Sequence, residues 1–102
     1  NDEVCITLVE AMSKVAPSLP LVVMAVPNHE KYRALAADYG IQLWFETFVS
    51  RDYYQDGRLV PRNVPGSSNH EPTQIRSQAR QMIGERSVTT LDGQVIPLHA
   101  DT

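Results

Sequence analysis

Apolar residues recur at helical spacing from the start of the chain. Val4, Leu8, Met12 and Val15 follow one another at intervals of four, four and three, one stripe of an amphipathic helix. Asp2 and Glu3 precede the stripe, where negative charge suits a helix N-terminus. Pro17 and Pro20 end it. Leu19 to Val26 is then almost wholly apolar without alternation, which predicts a strand buried on both faces. After Pro27, Asn28 stands at a helix-cap position, and Tyr32, Leu35, Ala36 and Tyr39 mark a second buried stripe. Gly40 supplies its stop. Ile41 to Phe48 reads as a second strand, with Trp44 as a core residue. Strand, helix and strand in that order predict a βαβ unit with parallel strands and a right-handed crossover.

The periodicity lapses from about Val49 to His70. Pro72 suits the first position of a third helix, whose stripe is Ile75, Ala79, Met82 and Ile83 and whose stop is Gly84. Ser87 to Thr90 and Gln94 to Leu98 flank Leu91-Asp92-Gly93 as a hairpin. Ala100-Asp101-Thr102 reads as a polar tail. Two long parallel strands leave sheet edges uncovered, so the chain reads as a slice of a larger α/β domain.

Composition narrows the class without defining chemistry. The chain has 102 residues, 42% hydrophobic and 21% charged, enough for one small core. A net charge of -3 without a basic cluster argues against a nucleic-acid surface. No apolar run approaches a membrane span. The single Cys5 cannot form an intrachain disulfide and fits a reducing, cytoplasmic setting. It lies beside the helical stripe and reads as a core thiol.

The richest chemistry lies in Glu46 to Pro65, Glu-Thr-Phe-Val-Ser-Arg-Asp-Tyr-Tyr-Gln-Asp-Gly-Arg-Leu-Val-Pro-Arg-Asn-Val-Pro. It leaves the end of a strand, where α/β proteins usually bind ligands. Long aperiodic loops are more often functional or disordered than plain connectors. Glu46 suits a general base or a cation ligand; the plainer reading pairs it with Arg51 or Arg62. Arg51 and Arg62 offer forks for carboxylate or phosphate, with a structural ion pair the plainer role for Arg62. Tyr53 offers a hydroxyl to a carbonyl, or packs with that hydroxyl satisfied. His29, His70 and His99 lack metal-ligand spacing and read as surface or structural residues; of these, His70 is placed to face the rim. No site residue is assigned to a metal.

Glu46-x-Phe48-x-x-Arg51-x-Tyr53, Asp56-Gly57-x-Leu59-Val60-Pro61-Arg62 and Pro65-Gly66 together resemble the LamB/YcsF family, the A subunit of bacterial 5-oxoprolinase, historically called lactam utilisation protein. The likeness continues through His70-x-Pro72, Gln78 to Met82, Leu91-Asp92-Gly93 and Pro97-Leu98-x-Ala100-Asp101-Thr102. The resemblance implies an α/β fold, a βαβ-containing fragment of a β/α barrel of the glycoside hydrolase/deacetylase type. Residues 1–102 would form one partial domain from the later part of that barrel. It implies ATP-dependent opening of 5-oxoproline to glutamate with the B and C subunits. It also implies Glu46 as catalytic residue, and Arg51, Tyr53 and Arg62 as substrate-binding residues. Ser50 stands where the family usually has Asp. The family's earlier His- and Asp-rich motifs lie outside this sequence. Two other expectations therefore accompany the first: a truncated non-catalytic relative acting as an interaction or structural piece, and a hydrolase of another amide or a carbohydrate.

Overall fold

A computed structural model describes residues 2–68 and 71–102. Helix α1 (Asp2–Val15) is followed by strand β1 (Leu21–Met24), helix α2 (His29–Ala37) and strand β2 (Leu43–Glu46). The long loop leads to helix α3 (Pro72–Arg80), which runs on through a π-helical turn, Gln81–Glu85. Strands β3 (Ser87–Thr89) and β4 (Val95–Pro97) close the order.

β1 and β2 pair in parallel, with Leu21 opposite Leu43 and Met24 opposite Glu46. The expected βαβ unit is therefore present. β3 and β4 pair antiparallel around Gly93, whose φ of +86° meets the demand of the turn. Gly40 takes φ +72° after α2, the expected helix stop. Asn28 occupies the cap position of α2, but its side chain makes no capping hydrogen bond.

Several burial expectations are corrected. α1 turns Cys5, Val9 and Met12 inward, with Val9 fully buried, while Val4 and Leu8 stay 55% and 45% exposed. The inward stripe is displaced by one residue because apolar side chains cover more of this helix than one face, and contact with α2 selects the Val9 side. β1 is covered on one face only: Leu21 and Val23 pack against the core, whereas Val22 and Met24 are exposed. Trp44 shares that exposed face, so it is not a core residue. In α3 the π turn carries Met82 inward and leaves Ile83 exposed. Arg86, at φ +53°, makes the left-handed stop assigned to Gly84.

α1 is tied to α2 at both ends. Tyr32 Oη donates to Asp2 at 2.9 Å, Lys31 Nζ pairs with Asp2 at 2.7 Å, and Tyr39 Oη donates to Glu10 at 2.9 Å. Burial pushes the Cys5 thiol up, consistent with a packing residue.

The far end of the chain is not a loose tail. Asp101 and Thr102 N–H donate to Phe45 O at 2.8 and 3.1 Å, and Thr47 N–H donates to Thr102 O at 2.8 Å. The two Thr102 bonds form a parallel ladder on the edge of β2 away from β1. The carbonyls of Gln42 and Glu46 face β1 instead, accepting from Leu21 and Ala25.

The displaced stripe gives a direct test. Val9→Ala should lower the unfolding free energy of this chain by about 2 kcal/mol, two buried methyl groups' worth. Leu8→Ala should change it by no more than about 0.5 kcal/mol. Urea unfolding of both variants checks the assignment; the reverse order would restore the Val4–Leu8 face as the buried one.

Candidate functional site

The site starts where β2 ends. Alternation along β2 puts Leu43 and Phe45 on the helix-facing side and Trp44 and Glu46 on the other. Glu46 is half-buried and lies opposite Met24 in the sheet register. Its backbone is fixed between Ala25 on one edge and the Thr102 ladder on the other. Among the described residues, no ion pair joins Glu46 to Arg51 or Arg62, so the plainer ion-pair reading is not realised.

The loop after Glu46 is ordered by its own hydrogen bonds. Arg51 bridges to Ser68 and Tyr53 to Leu59, both antiparallel. Asp52 N–H donates to Ser67 O at 2.9 Å and Val60 N–H to Asp52 O at 3.0 Å. The turn at Asp56-Gly57 closes through Tyr54 N–H to Arg58 O at 2.8 Å. Its tip folds back onto the end of β1, with Gly57 directly against Pro27. Leu91 N–H donates to Tyr53 O at 2.8 Å, and Gln55 donates to Asp92, joining the loop to the β3–β4 turn.

The turn that carries Ser50 and Arg51 is clamped from below. Phe48 N–H donates to Tyr53 Oη at 3.1 Å. Gln78 Nε2 donates to Phe48 O at 3.0 Å and to Arg51 O at 2.8 Å. Arg51 Nη2 donates to Val60 O at 2.8 Å, while its Nε is buried without a partner among the described residues. Buried donors are rarely left unpaired, so this nitrogen suits an additional acceptor such as an anionic oxygen.

The sequence candidates thus separate. Glu46 and Arg51 belong to the same rim, carried by the strand end and the turn that follows. Tyr53 takes the packed alternative: it is only 1% exposed, and its hydroxyl accepts from the Phe48 N–H. Burial pushes that phenol up, against the smaller opposing effect of the Phe48 N–H. The physical reason is simple: Tyr53 lies at a bridge to Leu59 and points into the core as a large apolar body. Arg62 is exposed, and its guanidinium has no ion-pair partner among the described residues. His70 lies outside the described residues.

A second cluster escaped the sequence reading. On the Phe45 side of β2, the rings of His29 and His99 stack with centroids 4.8 Å apart. Phe45 meets both edge-on, at 5.6 and 6.2 Å. His99 Nε2 contacts Asp101 Oδ1 at 2.9 Å, and Phe45 N–H donates to Asp101 Oδ2 at 3.0 Å. The available signal was the two-residue spacing of His99 and Asp101, which puts both on one side of an extended segment. Among the described residues, no three His, Cys, Asp or Glu side chains converge as metal ligands.

Asp101 should leave a pH signature. Burial pushes its carboxyl up, but the Phe45 N–H, His99 and Arg33 outweigh burial and hold it below the usual carboxylate range. A lowered folded-state pKa means the unfolded chain binds the proton more readily. Its stabilisation is present above the ordinary carboxylate pKa of about 4 and is lost as pH falls through the folded value. Urea unfolding across that acid limb should show a shallower pH slope for Asp101→Asn. An unchanged slope would refute the assignment.

A parallel βαβ unit with a carboxylate and an arginine-bearing loop at its strand ends defines an α/β protein whose candidate site lies on the carboxyl rim. The LamB/YcsF family pattern matches residues 1–102. The 5-oxoprolinase A subunit of Chromohalobacter salexigens is 43% identical over 86 residues, covering 84% of this chain and 34% of that protein. That of Coprothermobacter proteolyticus is 37% identical over 100 residues, covering 98% and 37%. The crystal structure of the lactam utilization protein from Thermus thermophilus superposes with TM-score 0.76 at 33% identity, covering 96% of this chain and 38% of that one. The chain belongs to the LamB/YcsF family. It spans between 34% and 38% of the length of these relatives.

Proposed function

We propose that this chain forms part of an ATP-dependent 5-oxoprolinase, as the later portion of a β/α barrel that works in the cytoplasm with B and C subunits. The observation that carries the reading is the family match over the whole chain, with relatives named as the A subunit of 5-oxoprolinase. The rim chemistry supports it. In the net reaction, water adds across the lactam C–N bond. The carbonyl carbon gains a hydroxyl group, the ring nitrogen gains a proton, and glutamate results. ATP is hydrolysed alongside to ADP and phosphate.

Glu46 is the group to accept a proton from the attacking water. Arg51, with its buried unpaired Nε, is the group to hold the substrate carboxylate or a phosphate oxygen. Arg62, exposed on the same loop, is the second candidate to hold that anion. Tyr53 and Gln78 act by holding the Arg51 turn, not by touching substrate. The sequence contains no glycine-rich phosphate loop, so the loop arginines are the donors these residues would offer a nucleotide.

The test is ATP-dependent release of glutamate from 5-oxoproline by the full-length protein with its partner subunits. Absence of turnover with folded subunits and saturating substrate refutes the reading. A second reading, a non-catalytic interaction or structural piece, predicts binding to partner subunits without turnover. Turnover of another amide or a carbohydrate, but not 5-oxoproline, would identify a different hydrolase.

A further inference from the structure

Phe45 is the residue before Glu46, and Asp101 takes both of its backbone polar groups. The Phe45 N–H donates to Asp101 Oδ2 at 3.0 Å, and the Phe45 carbonyl accepts from the Asp101 N–H at 2.8 Å. In a regular parallel ladder a backbone carbonyl of the neighbouring strand accepts such an N–H. Here a carboxylate does so, and an ionised acceptor makes the stronger bond. The Phe45 carbonyl and the Glu46 nitrogen share one peptide plane. Asp101 therefore fixes the plane that leads directly into Glu46. The Phe45 side chain is fully buried, with His29 and His99 edge-on to its ring and the Arg33 guanidinium 5.7 Å from its centroid.

The Asp101 carboxylate is itself oriented. Its other oxygen meets His99 Nε2 at 2.9 Å. An ionised carboxylate only accepts, so Nε2 carries the hydrogen of this contact. His99 is backed by His29, stacked at 4.8 Å, and His29 Nε2 meets Glu30 Oε1 at 2.9 Å. Contacts thus run from the start of α2 through both imidazoles to Asp101 and on to the end of β2. Glu46 needs such support: among the described residues no ion pair holds its carboxylate, so its aim is set by the strand that carries it.

We propose that Asp101 is a positioning residue for Glu46: by clamping both polar groups of Phe45 it sets the direction of the carboxylate at the strand end, and His99, backed by His29, keeps the clamp closed. The role rests on the reading of Glu46 as proton acceptor, and Asp101 touches no substrate in it. A misplacement of about 1 Å at a reacting group can cost roughly 100-fold in rate.

The first measurement needs no turnover. By NMR of this 102-residue chain, Asp101→Ala should speed hydrogen exchange of the Phe45 amide at least about tenfold beyond any change at Val9, the loss of one charged hydrogen bond. The side-chain carbons of Glu46 should gain mobility. Asp101→Asn should restore both readouts, because its amide oxygen still accepts from Phe45 and its amide nitrogen faces His99, which answers with its other tautomer. Phe45 exchange that only tracks Val9, or an unchanged Glu46 side chain, overturns the proposal. Should Asp101→Ala not fold, His99→Ala decides: it keeps the Phe45 bond, removes the orienting ring, and should loosen Glu46 to a smaller extent. The second measurement is turnover by the full-length protein with its partner subunits. Asp101→Ala should lower kcat about 10- to 100-fold, and Asp101→Asn should recover most of that loss. KM for 5-oxoproline should stay within about twofold, since Arg51 holds the substrate. A lower folded fraction with kcat per folded molecule unchanged would make Asp101 merely structural and overturns the proposal. Absence of turnover in the unsubstituted enzyme is a separate failure. It removes the 5-oxoprolinase reading, and the Glu46 mobility then decides alone whether Asp101 sets that side chain.

Discussion

Glu46→Gln in the full-length protein is expected to lower ATP-dependent glutamate release by about 100- to 10,000-fold, the range attributed to a positioned acid or base. The substitution keeps the shape and removes only the ability to take a proton. Stability should change little, because among the described residues no ion pair joins the carboxylate to Arg51 or Arg62 and its backbone is held independently by Ala25 and Thr102. The loss should therefore fall on kcat, with thermal unfolding unchanged. Tyr53→Phe provides the contrast. It strips the acceptor from the half-buried Phe48 N–H and should cost about 1–3 kcal/mol of stability. Whatever remains folded should keep most of its turnover. Equal kcat losses from both variants, at equal folded fractions, would return Tyr53 to the reacting centre. Unchanged kcat in Glu46→Gln would remove Glu46 from it.

Gly57→Ala should be the most damaging single-methyl change in the loop. Gly57 has φ +87°, a conformation that disfavours any residue with a Cβ. A Cβ built there would also lie 2.4 Å from Pro27 Cδ and 2.9 Å from Pro27 Cγ. Pro27 is a rigid ring in the turn after β1 and yields little. Left-handed strain and overpacking together should cost about 2–5 kcal/mol, a large part of the total stability of a small domain. Gly93→Ala is the matched control. Its φ is +86°, but a Cβ there meets nothing within 4 Å. It should show the backbone cost alone, about 1–2 kcal/mol. Urea midpoints for the two variants separate the terms; equal losses would mean that the Pro27 approach contributes nothing.

The sequence reading went furthest where local chemistry and chain order agree. Gly40, Asp56-Gly57 and Gly93 lie in the turns expected of them, and the βαβ pairing follows from element order. It went astray where neighbours outside the local pattern decide. Val4–Leu8 and Cys5–Val9 are adjacent stripes of one apolar helix surface, and only contact with α2 selects between them. Trp44 reads as core by composition, yet it lies on the sheet face away from the core and is 42% exposed. Gly84 carries the stop signal, but the π turn moves the left-handed residue to Arg86. At the rim, Glu46 and Arg51 were legible as functional residue types following a strand. The burial of Tyr53 was not, because it depends on a bridge to Leu59 and a long-range bond from Leu91. His29 opens α2 inside the βαβ unit and His99 follows β4, far along the sequence, so no local pattern announces their stacking.

The Thr102 ladder bears on the order in which the molecule assembles. β1 and β2 meet across the short crossover of α2, a contact that forms early on loop-closure grounds. The contacts that fix the other edge of β2 join Phe45 to Asp101, 56 positions further along. A chain emerging from the ribosome therefore makes the strand that carries Glu46 well before it makes the residues that hold its far edge. The sheet can be built while the rim is still loose, and the site becomes rigid only when the last residues of this sequence arrive.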